Sequence, residues 1–168
     1  DPDLPPVRYL LGVFGVTIRP GFINTHGHIN GVLGREDGRY NKNNLERQLR
    51  LDARDGITTV NSLGGDGEEA VALRNAEDDT LQRARIKVAG TIVTGDTIEK
   101  VQSTVDENAN LGVNFIKIRV DDNLGTTKKM LPNIYQAVID QAHKHDLKVA
   151  SHLFYLDDPK SLLNAGTK

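Results

Sequence analysis

The sequence contains no cysteine and no tryptophan, and only 5% of its 168 residues are aromatic. Without cysteine there is no disulfide framework, no Cys-ligated zinc and no thiol nucleophile. With so few aromatic residues, the core has to be aliphatic. Neither sign of charge dominates: 21 Lys and Arg against 23 Asp and Glu leave a net charge of −2. That balance argues against a nucleic-acid arm or a basic membrane-surface patch. No run of about 18 apolar residues occurs, so no membrane-spanning helix is expected. The opening Asp1-Pro2-Asp3-Leu4-Pro5-Pro6 lacks the basic and apolar regions of a secretory leader. It reads as the start of a piece of a longer protein. The missing cysteines fit a reducing compartment, so a cytoplasmic location is expected. What is present, 38% hydrophobic and 26% charged residues, is ordinary for a globular domain.

Apolar, β-branched runs recur at Phe22–Thr25, Ile57–Val60, Ile86–Ala89, Val113–Val120 and Leu147–Ala150. Segments with helical spacing lie between them. Asn44 is placed to cap a helix through Leu45, Leu49 and Ala53 that stops at Gly56. Asp96 and Glu99 resemble a capping box for a helix through Val101 and Val105 that stops near Gly112. Ile134, Ala137, Val138 and Ala142 mark a longer helix, and Asp158-Pro159 opens a last one that Gly166 ends. Strand starts near 22, 57, 86, 113 and 147 are separated by 35, 29, 27 and 34 residues. These are βα-unit lengths, so an α/β fold with a parallel sheet is expected. The pattern alone fits both an open doubly wound sheet and a closed barrel. Gly64-Gly65-Asp66-Gly67 lacks the Lys and Ser of a phosphate loop and reads as a turn. Residues 1–19 stand outside the repeat, with an apolar stretch Val7–Ile18 interrupted by Gly12 and Gly15.

His26 and His28 stand one residue apart at the end of the first strand. Side chains at i and i+2 of a strand share a face, so the two imidazoles converge. Such a pair suits a Zn²⁺-type ion; the alternative is two polar histidines in a loop. Lys117 interrupts the apolar run Phe115-Ile116-Lys117-Ile118. A lysine there has to pair, shift its pKa or be modified, because an isolated buried ammonium is costly. It can also snorkel out at the strand end, or pair with Asp121 or Asp122. His152 ends the fifth strand, where parallel α/β folds place their sites; its alternative is a bond to a backbone carbonyl. His143 and His145 read as surface residues, Asp121-Asp122 and Asp157-Asp158 as loop carboxylates or caps, and Glu68-Glu69 as a helix first turn.

Taken in order, these segments resemble the metal-dependent amidohydrolase superfamily. The resemblance is carried by Pro20-Gly21-Phe22-Ile23-Asn24-Thr25-His26-Gly27-His28-Ile29 and by Ala53-Arg54-Asp55-Gly56-Ile57-Thr58-Thr59-Val60 with Leu63-Gly64-Gly65. It continues through Gly112-Val113-Asn114-Phe115-Ile116-Lys117-Ile118 and Ala142–His152, and so covers about residues 20–168. The branch looks like the imidazolonepropionase-related and Xaa-Pro dipeptidase-like enzymes.

The resemblance implies a (β/α)₈ barrel of the TIM type of which about the first five units are present, residues 20–168. Residues 1–19 would be the remnant of a small β-sandwich and the lead-in to the barrel. It implies one or two divalent metal ions, zinc first among them. His26 and His28 would hold the more buried ion, Lys117 as a carboxylated bridge both ions, and His152 the second. A histidine of the sixth strand and a proton-shuttling aspartate of the eighth are expected beyond Lys168. The activity implied is hydrolysis of amide-type bonds, in dipeptides or N-acyl amino acids, by a metal-activated water. The alternatives are a non-catalytic truncated fragment, or a hydrolase of cyclic amides or lactones. The partners expected are a small-molecule substrate and either a second copy or another chain that completes the barrel, with no nucleic acid and no membrane.

Overall fold

The computed structural model describes residues 15–76, 80 and 82–167. The sandwich remnant expected within residues 1–19 falls mostly on residues 1–14, outside the described residues; residues 15–21 carry no strand.

Five βα units follow in sequence: β1 Phe22–Gly27, α1 Lys42–Arg54, β2 Ile57–Ser62, α2 Glu68–Asn75, β3 Arg85–Val88, α3 Ile98–Leu111, β4 Phe115–Arg119, α4 Pro132–Lys144, β5 Lys148–His152 and α5 Asp157–Ala165. All strand pairs are parallel, in the orders β1-β2-β3 and β4-β5. A parallel bridge from Val93 to Ile118 joins the two sheets, supported by hydrogen bonds from Val93 N to Lys117 O (2.8 Å) and from Asn114 N to Val88 O (2.9 Å). The strands thus lie side by side in chain order. A doubly wound sheet reverses its order at a switch point, whereas a barrel does not, so the sequential order decides for part of a (β/α)₈ barrel.

The helices form where their apolar faces meet this sheet. Leu45 and Leu49 of α1 sit four residues apart and are fully buried. Val101 and Val105 of α3 and Ile134, Val138 and Ala142 of α4 repeat that spacing. They pack on Val60, Ile86, Val88, Ile116, Ile118 and Val149 of the strands. Burying each such side chain is worth about 1.5–3 kcal/mol, so a core that is aliphatic apart from Tyr135 among the buried described residues holds the strands. Asn108 interrupts the apolar face of α3. Its side chain accepts from Thr91 N (2.9 Å) and donates to Thr91 O (2.8 Å), pinning the loop after β3 to the helix. Gly90 leaves room for it, because a Cβ there would stand 2.4 Å from Asn108 Oδ1 at a φ of +72°.

Several helix starts differ from the sequence expectation. Asn41, not Asn44, caps α1 by accepting from Asn44 N; Asn44 is buried and donates to the carbonyls of Val32 and Arg39. Thr97, not Asp96, caps α3. Asp158 lies inside the first turn of α5 and pairs with Lys129 Nζ at 2.5 Å. For Asn44 and Asp158 a partner outside the helix claims the side chain that looked free to cap. The glycine stops hold: Gly112 and Gly166 end α3 and α5 in the left-handed conformation.

Candidate functional site

Strands β1, β4 and β5 bring four of the singled-out side chains to their C-terminal ends. The ring centres of His26 and His28 are 5.6 Å apart, and those of His26 and His152 are 6.5 Å apart. Lys117 is buried at 3% exposure and makes no side-chain hydrogen bond or ion pair among the described residues. It does not pair with Asp121 or Asp122, the partners weighed from the sequence; Asp122 instead accepts from the Tyr155 hydroxyl (2.9 Å). Burial first, and then the charge of Arg119, hold the Lys117 amine below its ordinary pKa of 10.5, against the pull of Asp121. Burial, Lys117, His28 and His152 likewise lower the pKa of His26. A neutral imidazole is the form that offers a lone pair to a cation.

Two residues gain a role that the sequence did not suggest. Asp121, two residues past the end of β4, is 4% exposed. One of its oxygens accepts from Asn123 N (2.8 Å). The other makes no hydrogen bond and faces His152 Nε2 at 3.5 Å. It falls four residues after Lys117, on the same face by strand period, and that spacing was the available signal. Asp66, read as part of a turn, is also buried at 4% exposure. It accepts from Ser62 Oγ (2.6 Å) and from Ala89 N (2.9 Å). Ser62 Oγ in turn accepts from Ile29 N (3.0 Å), and Leu63 N donates to Gly27 O (2.8 Å). The peptide on either side of His28 is thereby tied to the end of β2, and through Asp66 to the end of β3.

Burial raises the Asp66 carboxyl above the ordinary carboxylate value of 3.8, against the bonds it accepts. An acid whose pKa is raised by folding binds its proton more tightly in the native state. Stability is therefore greatest below the unfolded value and falls as pH rises from about 3.8 towards the raised value. Asp66→Asn is expected to flatten that segment of the stability–pH curve, read by urea denaturation at a series of pH values. Parallel curves for the two proteins would show that Asp66 ionises as freely as an exposed carboxylate.

His143 and His145 stay on the surface, as the sequence suggested; His145 Nε2 meets Asp106 Oδ1 at 2.6 Å, between α4 and α3. Among the described residues no three His, Asp or Glu side chains form a ready metal cluster. The donor chemistry nevertheless suits divalent ions. Metal–nitrogen bonds of about 2.0–2.1 Å put an imidazole centre about 3 Å from its ion. Rings 5.6 Å apart can share one ion, whereas 6.5 Å is too wide for a tetrahedral pair, so His152 suits a second position. Lys117 would add an oxygen donor only as an anion, and the free oxygen of Asp121 faces His152 Nε2.

Comparison with known proteins bears on the family and the fold. The family model described as amidohydrolase family matches residues 17–165. Among solved structures, a Xaa-Pro dipeptidase with methionine bound in its active site superposes with a TM-score of 0.74 at 19% identity, over 89% of this chain and 47% of that one. Phenylurea hydrolase B gives 0.72 at 19% identity, over 88% and 46%. Ochratoxinase of A. niger gives 0.70 at 16% identity, over 89% and 46%. At these identities the likeness is one of fold, and the chain spans about half the length of each. No curated protein matches the sequence.

Proposed function

This chain belongs to the amidohydrolase family, and on that premise we propose that it carries the metal-binding half of a hydrolase of amide-type bonds, acting on dipeptides or N-acyl amino acids. The observation that carries the reading is the buried, partnerless Lys117 beside the convergent pair His26 and His28, with His152 opposite. His26 and His28 would hold one divalent ion, zinc first among the candidates, and His152 a second. Bound there, such ions supply a water of near-neutral pKa and a Lewis acid for the scissile carbonyl.

The chain's own residues prepare the site. Lys117, its amine held towards the neutral form, would add CO₂ through nitrogen and release one proton from the neutral amine, or two counted from the ammonium, and the carbamate so formed would offer anionic oxygen donors to the ions. The free oxygen of Asp121 faces Nε2 of His152 at 3.5 Å and would bias the orientation of that ring. Ser62 and Asp66 fix the backbone around His28, so its ring does not have to be ordered when an ion arrives. The three relatives are named for a dipeptide, a phenylurea and ochratoxin, which supports an amide-type bond without choosing among acyl groups.

The test is hydrolysis by the whole protein, loaded with Zn²⁺ or Mn²⁺, of a panel holding dipeptides, N-acyl amino acids, cyclic amides and lactones. Turnover of dipeptides or N-acyl amino acids, lost on chelation, is the expected result. Turnover confined to cyclic amides or lactones would overturn the substrate class, and no turnover of any member would overturn the enzyme reading.

A further inference from the structure

Arg119 follows Lys117 by two residues in β4, so both side chains leave the same face of the strand, while Ile116 and Ile118 point into the helix-covered core. The guanidinium is half-buried and makes no hydrogen bond or ion pair among the described residues. It lines a groove of about 260 Å³ with Thr94, Gly95, Asp121, Thr127, Lys128 and Met130. Asp121, which also lines the groove, makes no ion pair with Arg119 among the described residues and turns its free oxygen to His152, so Arg119 and Lys128 together leave the groove with a net positive charge. Lys129, by contrast, is already engaged by Asp158 and lies over the Tyr155 ring. Among the described residues Arg119 and Lys128 thus make no ion pair, in a groove whose lining reaches β4 two residues beyond Lys117, in a chain of net negative charge.

We propose that Arg119, assisted by Lys128, is the specificity residue that receives a substrate carboxylate, so that the preferred substrates are amides whose leaving amine bears an α-carboxylate. The spacing supports that choice. Two residues of strand advance are about 6.6 Å, and the carboxylate of an N-acyl amino acid lies three bonds from its scissile carbonyl carbon. A planar guanidinium binds a carboxylate through two parallel hydrogen bonds, which a neutral amide cannot reproduce. The inference rests on the proposed function for the place where the scissile bond sits, but binding at Arg119 needs no metal.

Calorimetric titration of the metal-free protein with N-acetyl-leucine and with N-acetyl-leucinamide separates the two ideas. The acid is expected to bind on the order of 10- to 100-fold more tightly than the amide, as charge-assisted bonds worth about 1.5–3 kcal/mol would give. Arg119→Gln should abolish that preference with an unchanged circular dichroism spectrum, and Arg119→Lys should keep part of it. Should Arg119→Gln fail to fold, the intermediate preference of Arg119→Lys decides. Equal affinities in the unaltered protein, or a full preference surviving in either variant, would overturn the assignment. His26→Ala with His28→Ala should leave the preference intact, so a failure of metal binding sinks the proposed function and leaves Arg119 standing.

Discussion

His26→Ala combined with His28→Ala is expected to abolish divalent-metal binding while the fold survives. Loss of a residue that merely supports a ligand typically weakens metal affinity by 10- to 100-fold, so removing two ligands from one strand end should exceed about 100-fold. Both rings are exposed at the strand end, whereas the core is built from Val60, Ile86, Ile116 and their neighbours. Truncating them therefore leaves no cavity, and thermal unfolding of the metal-free variant should match that of the unaltered protein. Zinc content after dialysis, by elemental analysis, reads the effect. The matched control is His143→Ala with His145→Ala, which removes two imidazoles from the far end of α4. Equal metal loss in the control, or none in the His26/His28 variant, would move the ion elsewhere.

Lys117→Met is expected to act in opposite directions on stability and on metal uptake. The lysine is 3% exposed and makes no side-chain hydrogen bond or ion pair among the described residues, and burial lowers its pKa, which sets an upper bound of about 1–3 kcal/mol on what folding loses by holding a polar group there. Methionine fills a similar volume without that cost, so the metal-free variant should unfold at higher denaturant concentration by no more than that free energy. Its capacity for a second ion should fall, and the dependence of uptake on added bicarbonate should vanish. A metal-free variant less stable than the parent would mean that the ammonium has a partner that favours it. Unchanged uptake with unchanged bicarbonate dependence would remove Lys117 from the ligand set.

The outcome of these two experiments turns on features that the sequence displays to different degrees. The strands were legible because β-branched runs such as Ile57-Thr58-Thr59-Val60 recur at βα-unit spacing. The barrel was not legible from that pattern alone, since open sheets use the same units. The side-by-side order β1-β2-β3 and β4-β5, joined at Val93, decides it. His26, His28 and His152 stand out as polar residues at strand ends and Lys117 as the polar interruption of an apolar strand; the histidine rings lie 5.6 and 6.5 Å apart, with the Lys117 charge acting on His26. Asp66 and Asp121 do not stand out, because a carboxylate between glycines, or one in an Asp-Asp-Asn run, ordinarily means a turn. Only the fold, which covers both to 4% exposure and brings Ala89 N onto Asp66, reveals that they are buried. Helix caps were misplaced for a related reason. Asn44 and Asp158 are drawn away by Val32, Arg39 and Lys129, contacts that lie outside the helix and its local sequence.

The central claim is that the ends of β1, β4 and β5 form a divalent-metal centre. Anomalous diffraction at the zinc absorption edge, from crystals grown with Zn²⁺ and bicarbonate, tests it most directly. The expected result is an anomalous peak bonded to imidazole nitrogens of both His26 and His28, with density for an added carboxylate on Lys117 reaching towards it. A peak bound only by surface groups such as His145 and Asp106, with the His26 and His28 rings left without an ion, would contradict the claim.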